Sequence, residues 1–254
     1  MSTAEASVKA QAHDRIYSAI ARSPLFHRLL ANVMGADFPT GSTQYSFVGL
    51  TALRWIADRL NAASPGHCID VGCGDGSLTQ WLCELSARPL TGMDVSAKAI
   101  ELAVSRARDG CDFAVADFCR MPLPDGSVRV VTALDCVQHA PTPAHFAAEL
   151  SRVCTPGASV LFTHWMPLLL ADELADRDPL CSALRDHGFR VEEVLDIDPG
   201  LTRQFQVYAL VHSNQEWVRR ELGHELYESL MFEARHLHTR RGRVGHLAVR
   251  AHKQ

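Results

Sequence analysis

The apolar positions change period along the chain. Leu53, Ile56, Ala57 and Leu60 follow the i, i+3, i+4, i+7 spacing of a helix packed on one side, and "YSFVGLTALRWIADRL" (45–60) predicts that helix. Before it, 1–22 reads as polar helix. Residues 23–44 read as an amphipathic helix running into a turn-rich loop with Gly35, Pro39 and Gly41. "SPG" at 64–66 breaks the chain, and short apolar runs then alternate with helical spacing. "HCIDV" (67–71), "PLTGMDV" (89–95), "CDFAVAD" (111–117), "SVRVVTALD" (127–135) and "ASVLFTHW" (158–165) predict five strands.

Between the strands, Leu78, Trp81, Leu82 and Leu85 give one helix its apolar face. A second spans 96–110, with Ser96 as N-cap and Gly110 as terminator. A third starts at Thr142–Pro143, turns Phe146, Leu150 and Val153 inward and stops at "TPG". Such alternation predicts βαβ units, hence a parallel sheet covered on both faces. A helix around 178–187, a strand at 189–197 and a last strand at 243–251 follow, the two strands pairing as an antiparallel edge. Hairpins need only two to five loop residues, so 198–242 is an insertion. Its amphipathic segment 215–238 is built on Val218, Leu222, Leu226 and Leu230 and reads equally as a stabilising helix or as a lid over the strand ends. The division expected is a helical cap and closing segment (1–63), then a core (64–254) with a helical lid at 198–242.

Composition narrows the function classes. A net charge of −4 gives no reason to expect nucleic acid, and Arg240, Arg241 and Arg243 read as a solvated turn. No apolar run is long enough to span a bilayer, and the charged first twenty residues do not resemble a signal peptide. Eight cysteines without that signal or any C-x-x-C pair point to reduced thiols, most of them core residues, in a cytoplasmic protein. No metal is expected: His236 and His238 stand at i and i+2, on different helix faces.

Chemistry enters with "CIDVGCGDGS" (68–77). Gly72 and Gly74 fit a dinucleotide fingerprint, but Ser77 takes the third glycine position and Gly76 stands one residue early. A triphosphate loop needs Gly-Lys-Ser/Thr, and no lysine occurs between 67 and 97. Asp70 and Asp75 would oppose a pyrophosphate unless they point away, and a carboxylate ending the first strand suits a sulfonium and an ammonium.

"CIDVGCGDGSLTQWL", "LTGMDVSAKAIELA", "FAVADFCRMPLPDGSVRVVTALDCVQHA" and "RVCTPGASVLFT" together resemble, in order and spacing, the motifs of class I S-adenosylmethionine-dependent methyltransferases across about 64–165. The resemblance implies a Rossmann-like three-layer α/β sandwich with a seven-stranded, mostly parallel sheet and S-adenosyl-L-methionine as cofactor. It implies backbone contact at Gly72, Gly74 and Gly76 and places Asp70 near the ammonium group and Asp94 on the ribose hydroxyls. Asp117 would lie on the adenine amine, with Phe118, Val95 or Met93 flanking the ring and Leu134 nearby. "GADFPTGSTQYSFVG" resembles the leader of small-molecule members, with Tyr45 and Phe47 near the methionine end, although Thr40 and Gly41 replace the usual acidic residues.

For chemistry beyond cofactor binding, His139 after the fourth strand is the candidate base, with Asp135 orienting it or meeting the substrate. A packing role for His139 is the alternative. His164 and Trp165 point to the pocket by position, Trp165 as an aromatic wall. The expected activity is methyl transfer to an oxygen, nitrogen or carbon of a small metabolite of specialised metabolism. The alternative is a non-methylating reaction on the same fold, either cofactor cyclisation releasing methylthioadenosine or a substrate rearrangement. A non-catalytic binding subunit is disfavoured by the intact Asp70, Asp94 and Asp117. Expected partners are a small-molecule substrate and a second copy of the chain as a candidate homodimer, with neither nucleic acid nor membrane.

Overall fold

The computed structural model describes residues 14–15, 18–20 and 23–254. Most of the helix expected over 1–22 lies outside these residues. Seven strands form one sheet: β1 (His67–Val71), β2 (Leu90–Asp94), β3 (Cys111–Val115), β4 (Val128–Ala133), β5 (Cys154–Pro167), β6 (Phe189–Asp196) and β7 (Val244–Lys253). Their order is β3-β2-β1-β4-β5-β7-β6. β1 to β5 run parallel, and β7 lies antiparallel between β5 and β6. The order reverses beside β1, so the crevice at the carboxyl ends of β1, β2 and β4 is where this topology leaves room for a ligand.

Helices α1 (Pro24–Met34) and α2 (Leu50–Ala62) precede the sheet, and α3 (Ser77–Ser86), α4 (Ala97–Ser105) and α5 (Pro143–Val153) connect its parallel strands. The capping signals work as read. Ser96 accepts from the Ala99 amide, and Thr142 accepts from His145 with Pro143 opening the helix. Some boundaries differ. α2 starts at Leu50 rather than Tyr45, because Ser46 and Phe47 are tied to Asp135 and leave the helix register. α4 ends at Ser105, and Gly110 (φ 87°) instead makes the turn into β3. A short helix not expected, α6 (Ala171–Arg177), precedes α7 (Pro179–Asp186), which is the helix expected around 178–187. Asp178 divides them by capping Leu180 and Cys181.

The insertion folds as α8 (Thr202–Ser213), α9 (Gln215–Leu222) and α10 (His224–Thr239). It builds a core of its own with α1, in which Phe26, Leu30, Phe47, Val207, Val211, Val218 and Leu230 are buried. Each such side chain contributes about 1.5–3 kcal/mol by leaving water. Polar bonds fix the same arrangement. The Ser23 hydroxyl caps α1 and donates to Glu221 of α9 at 2.6 Å, and Arg203 of α8 pairs with Asp37. Asp37 in turn accepts from Thr51 at the start of α2. The insertion therefore sits over the carboxyl ends of the strands, bound to the N-terminal segment. All eight cysteines are free thiols, seven of them buried.

Candidate active site

The loop after β1 takes its shape from glycine. Gly72, Gly74 and Gly76 all adopt φ between 58° and 74°, a region costly for residues with a β-carbon. At Gly72 a β-carbon would also stand 2.4 Å from Cys136 Cβ, and at Gly76 it would stand 2.6 Å from the Phe113 ring. The backbone is thus drawn against the turn after β4 at one end and against β3 at the other.

Above this loop lies a cavity of about 560 Å3, within the usual range for small-molecule sites. Its floor is Gly72, then Asp94 and Val95 at the end of β2, and Asp117 and Phe118 after β3. Leu134, Asp135 and His139 follow from the end of β4, and His164 and Trp165 from β5. The leader supplies Tyr45, Ser46 and Phe47, and α10 closes the top with Leu226, Leu230, Glu233, Leu237 and Arg240. Nine of the twelve residues proposed for cofactor or catalysis therefore meet in one cavity. Asp70, Gly74 and Gly76 do not line it.

Asp70 is turned under the loop. Thr79 and Thr132 donate to its two oxygens at 2.5 and 2.6 Å, and burial raises its pKa to about 6. Asp75 is also turned away: it accepts from the Ser77 amide and Thr43 and pairs with Arg106. The electrostatic preference therefore cannot be read from Asp70 and Asp75. It comes from the lining, where Asp94, Asp117, Asp135, Asp178 and Glu233 face a single guanidinium, Arg240, among the described residues. That balance favours a cationic ligand over a pyrophosphate.

Asp94 is buried, yet each of its oxygens accepts one backbone amide, Gly74 at 3.0 Å and Ser96 at 2.8 Å. These amides fix the carboxylate where it lines the cavity, and a carboxylate accepts from hydroxyls as readily as from amides. Asp117 accepts from the Cys119 amide at 2.9 Å and otherwise faces the cavity beside Phe118. Met93 belongs to the core instead.

Asp135 has a different job from the one expected. Its Oδ1 receives His246 Nε2 and Thr163 Oγ1, both at 2.6 Å, and its Oδ2 receives Ser46 Oγ and the Phe47 amide at 2.8 and 3.2 Å. Burial alone would raise its pKa; His246 and these donors outweigh that and bring it to about 2. A carboxylate so saturated neither accepts protons at neutral pH nor has capacity left to orient His139. It anchors the leader to β4, β5 and β7 instead. Its own backbone sits at φ 50°, and its N–H donates a hydrogen bond to Thr163 Oγ1 at 2.8 Å. His139 lies exposed on the cavity rim in the turn Val137–His139.

The sequence offered a lid at 198–242 and Trp165 at the pocket, but not the polar residues between them, Gln204, Tyr208, Glu233 and His246. His246 stacks on Trp165 at 4.7 Å, and Trp165 Nε1 donates to Gln204 Oε1 at 2.6 Å. Gln204 Nε2 donates to Tyr208 at 2.9 Å and reaches Glu233 at 3.4 Å, while Tyr45 donates to Glu233 at 3.0 Å. Burial raises the Glu233 pKa. The signal was present: Leu226, Leu230, Glu233 and Leu237 form one helical stripe, with a carboxylate on its apolar face. His164 carries a buried Nδ1 with no partner, and burial lowers its pKa. His236 lines the cavity while His238 packs against Phe205, so the pair diverges.

Comparison with known proteins agrees with this geometry. Residues 69–162 match the family model described as a methyltransferase domain. A 27-O-demethylrifamycin SV methyltransferase from Amycolatopsis mediterranei is 29% identical over 152 residues, 56% of this chain and 55% of that protein. A probable chloroplastic tocopherol O-methyltransferase from Oryza sativa subsp. japonica is 30% identical over 106 residues, 40% of this chain and 29% of that protein. The chain thus spans little more than half, or less, of these two relatives. Among solved structures, the [4+2]-cyclase SpnF superposes with a TM-score of 0.68 at 19% identity, covering 96% of this chain and 94% of that one. Phosphoethanolamine N-methyltransferase 2 of Haemonchus contortus, in complex with S-adenosyl-L-methionine, gives 0.63 at 17% identity, covering 90% and 56%. These two likenesses establish the fold.

Proposed function

We infer that this chain, whose residues 69–162 match the methyltransferase-domain model, is a member of that family that binds S-adenosyl-L-methionine in its cavity and transfers the methyl group to a small metabolite. The observation carrying the reading is the acidic, glycine-floored cavity with the Asp94 carboxylate at the end of β2, held in place by the Gly74 and Ser96 amides. The cavity volume and the excess of carboxylates fit a cofactor that carries a sulfonium and an ammonium group but no phosphate. When bound, that cofactor supplies an electrophilic methyl carbon.

The protein's own groups then have separable tasks. Asp94 holds the ribose, Asp117 and Phe118 receive the adenine, and the Gly72 backbone lies along the methionine end. The leader, pinned by Asp135 through Ser46 and Phe47, separates that end from the cap. Closure by α10 excludes water, and positioning inside such a site supplies most of the acceleration of an in-line transfer. Enclosure favours a small acceptor over a macromolecule. The relative acting on a rifamycin supports a product of specialised metabolism.

Mass spectrometry tests this directly. Incubated with S-adenosylmethionine and a panel of small acceptors, the protein is expected to form S-adenosylhomocysteine only when an acceptor is present. Methylthioadenosine released without any acceptor would replace methyl transfer by cyclisation of the cofactor.

A further inference from the structure

The cap contributes one ionisable group whose environment differs from every other in the cavity. Asp94 and Asp117 are engaged by backbone amides, Asp135 is saturated by four donors, and Asp178 caps α7. Glu233 meets only neutral donors: the Tyr45 hydroxyl on Oε2 at 3.0 Å, Gln204 on Oε1 at the long distance of 3.4 Å, and the Tyr208 hydroxyl. It forms no ion pair among the described residues, and Oε1 retains acceptor capacity. The other charged or titratable groups bearing on it are Asp135 below and Arg240, His236 and His164 around the cavity. On α10, Leu226, Leu230 and Leu237 flank it as an apolar wall, with Ser229 and His236 the polar members of the same lining.

We propose that Glu233 is the proton acceptor for the nucleophile, and that the nucleophile is the hydroxyl of an apolar, phenol-class acceptor lying against the α10 wall. The proposal rests on the methyl-transfer reading above. A carboxylate without a cationic partner is a stronger base than an ion-paired one, and the apolar wall suits a ring rather than a sugar or an amino acid. In the step, an oxygen lone pair of the acceptor forms the bond to the methyl carbon while the carbon–sulfur bond breaks and its pair returns to sulfur. The hydroxyl proton passes to Glu233 Oε1, its bonding pair stays on oxygen, and the proton leaves to solvent when the cap opens. Tyr45 and Tyr208 are positioning residues that hold the carboxylate towards the cavity.

Glu233→Gln keeps the shape and removes the base. Isothermal titration of p-cresol at neutral pH, with and without S-adenosylhomocysteine, is expected to show binding at least tenfold weaker in the variant. The methyl ether 4-methylanisole, which has no proton to give, should bind both proteins alike. Unchanged cofactor affinity shows that the variant is folded. With a phenol acceptor, kcat should fall about 100-fold or more, KM should rise about as far as the p-cresol dissociation constant does, and the acid limb of the kcat profile should vanish. Equal p-cresol affinity in the two proteins, an equal loss for both ligands, or no p-cresol binding to the parent overturns the proposal. A protein that takes no cofactor still reports on Glu233 through the titration without it, so the two readings fail separately.

Discussion

Asp94 and Asp70 show how one residue type at two strand ends acquires opposite roles. Both are buried aspartates, but Asp94 ends β2 lining the cavity, held by two backbone amides, whereas Asp70 lies under the loop with both oxygens taken by threonines. Replacing Asp94 by alanine should weaken S-adenosylmethionine binding by about 1.5–3 kcal/mol, the usual worth of hydrogen bonds to a charged group. Calorimetric titration reads this, and unchanged affinity would move the ribose elsewhere. That Asp94 and Asp117 reach the cavity was legible in the chain, whereas the turning away of Asp70 and Asp75 was not. Asp70 and Asp75 sit in the glycine-rich stretch and attract attention there, but their side chains are claimed by Thr79, Thr132, Thr43 and Arg106, residues that no local pattern brings to them.

At the scale of elements, local signals read well wherever one neighbour decides. Ser96, Thr142 and Pro143 place helix starts because capping involves residues two or three apart. Reading fails where a distant partner intervenes, as when Asp135 pulls Ser46 and Phe47 out of helix register. The stripe over 215–238 reads as continuous, yet the chain breaks at Gly223 (φ 86°, ψ 162°) so that α9 meets α1 and α10 covers the cavity. The insertion thereby both stabilises the fold and closes the site. Gly223→Ala separates the two descriptions by sign. In one uninterrupted helix it would stabilise by about 1 kcal/mol. At these dihedrals it should cost about 1–3 kcal/mol even though no atom lies within 4 Å of the added carbon. Urea unfolding of parent and variant distinguishes the outcomes.

Across the whole molecule, two buried carboxylates set opposing pH dependences on either side of the glycine loop. Asp135 has its folded pKa lowered to about 2, so its contribution is present above its ordinary value and is lost as pH falls through about 2. Asp70 is raised to about 6, so its contribution is full below its ordinary value and is lost as pH rises through about 6. The difference of roughly two pH units corresponds to about 3 kcal/mol. The stability of the folded chain should therefore carry a decline between about pH 4 and pH 7 that originates under the cofactor floor. Asp70→Asn removes the ionisation while its amide still bonds Thr79 and Thr132, and it should flatten that decline in urea titrations compared with the parent. The same slope in both proteins would show that Asp70 ionises without penalty. Because Asp70 does not line the cavity, the variant should also hold S-adenosylmethionine within about threefold of the parent, under about 0.7 kcal/mol. A larger loss at unchanged stability would return Asp70 to the ammonium contact that the resemblance implied, and would require the floor to rearrange when the cofactor binds.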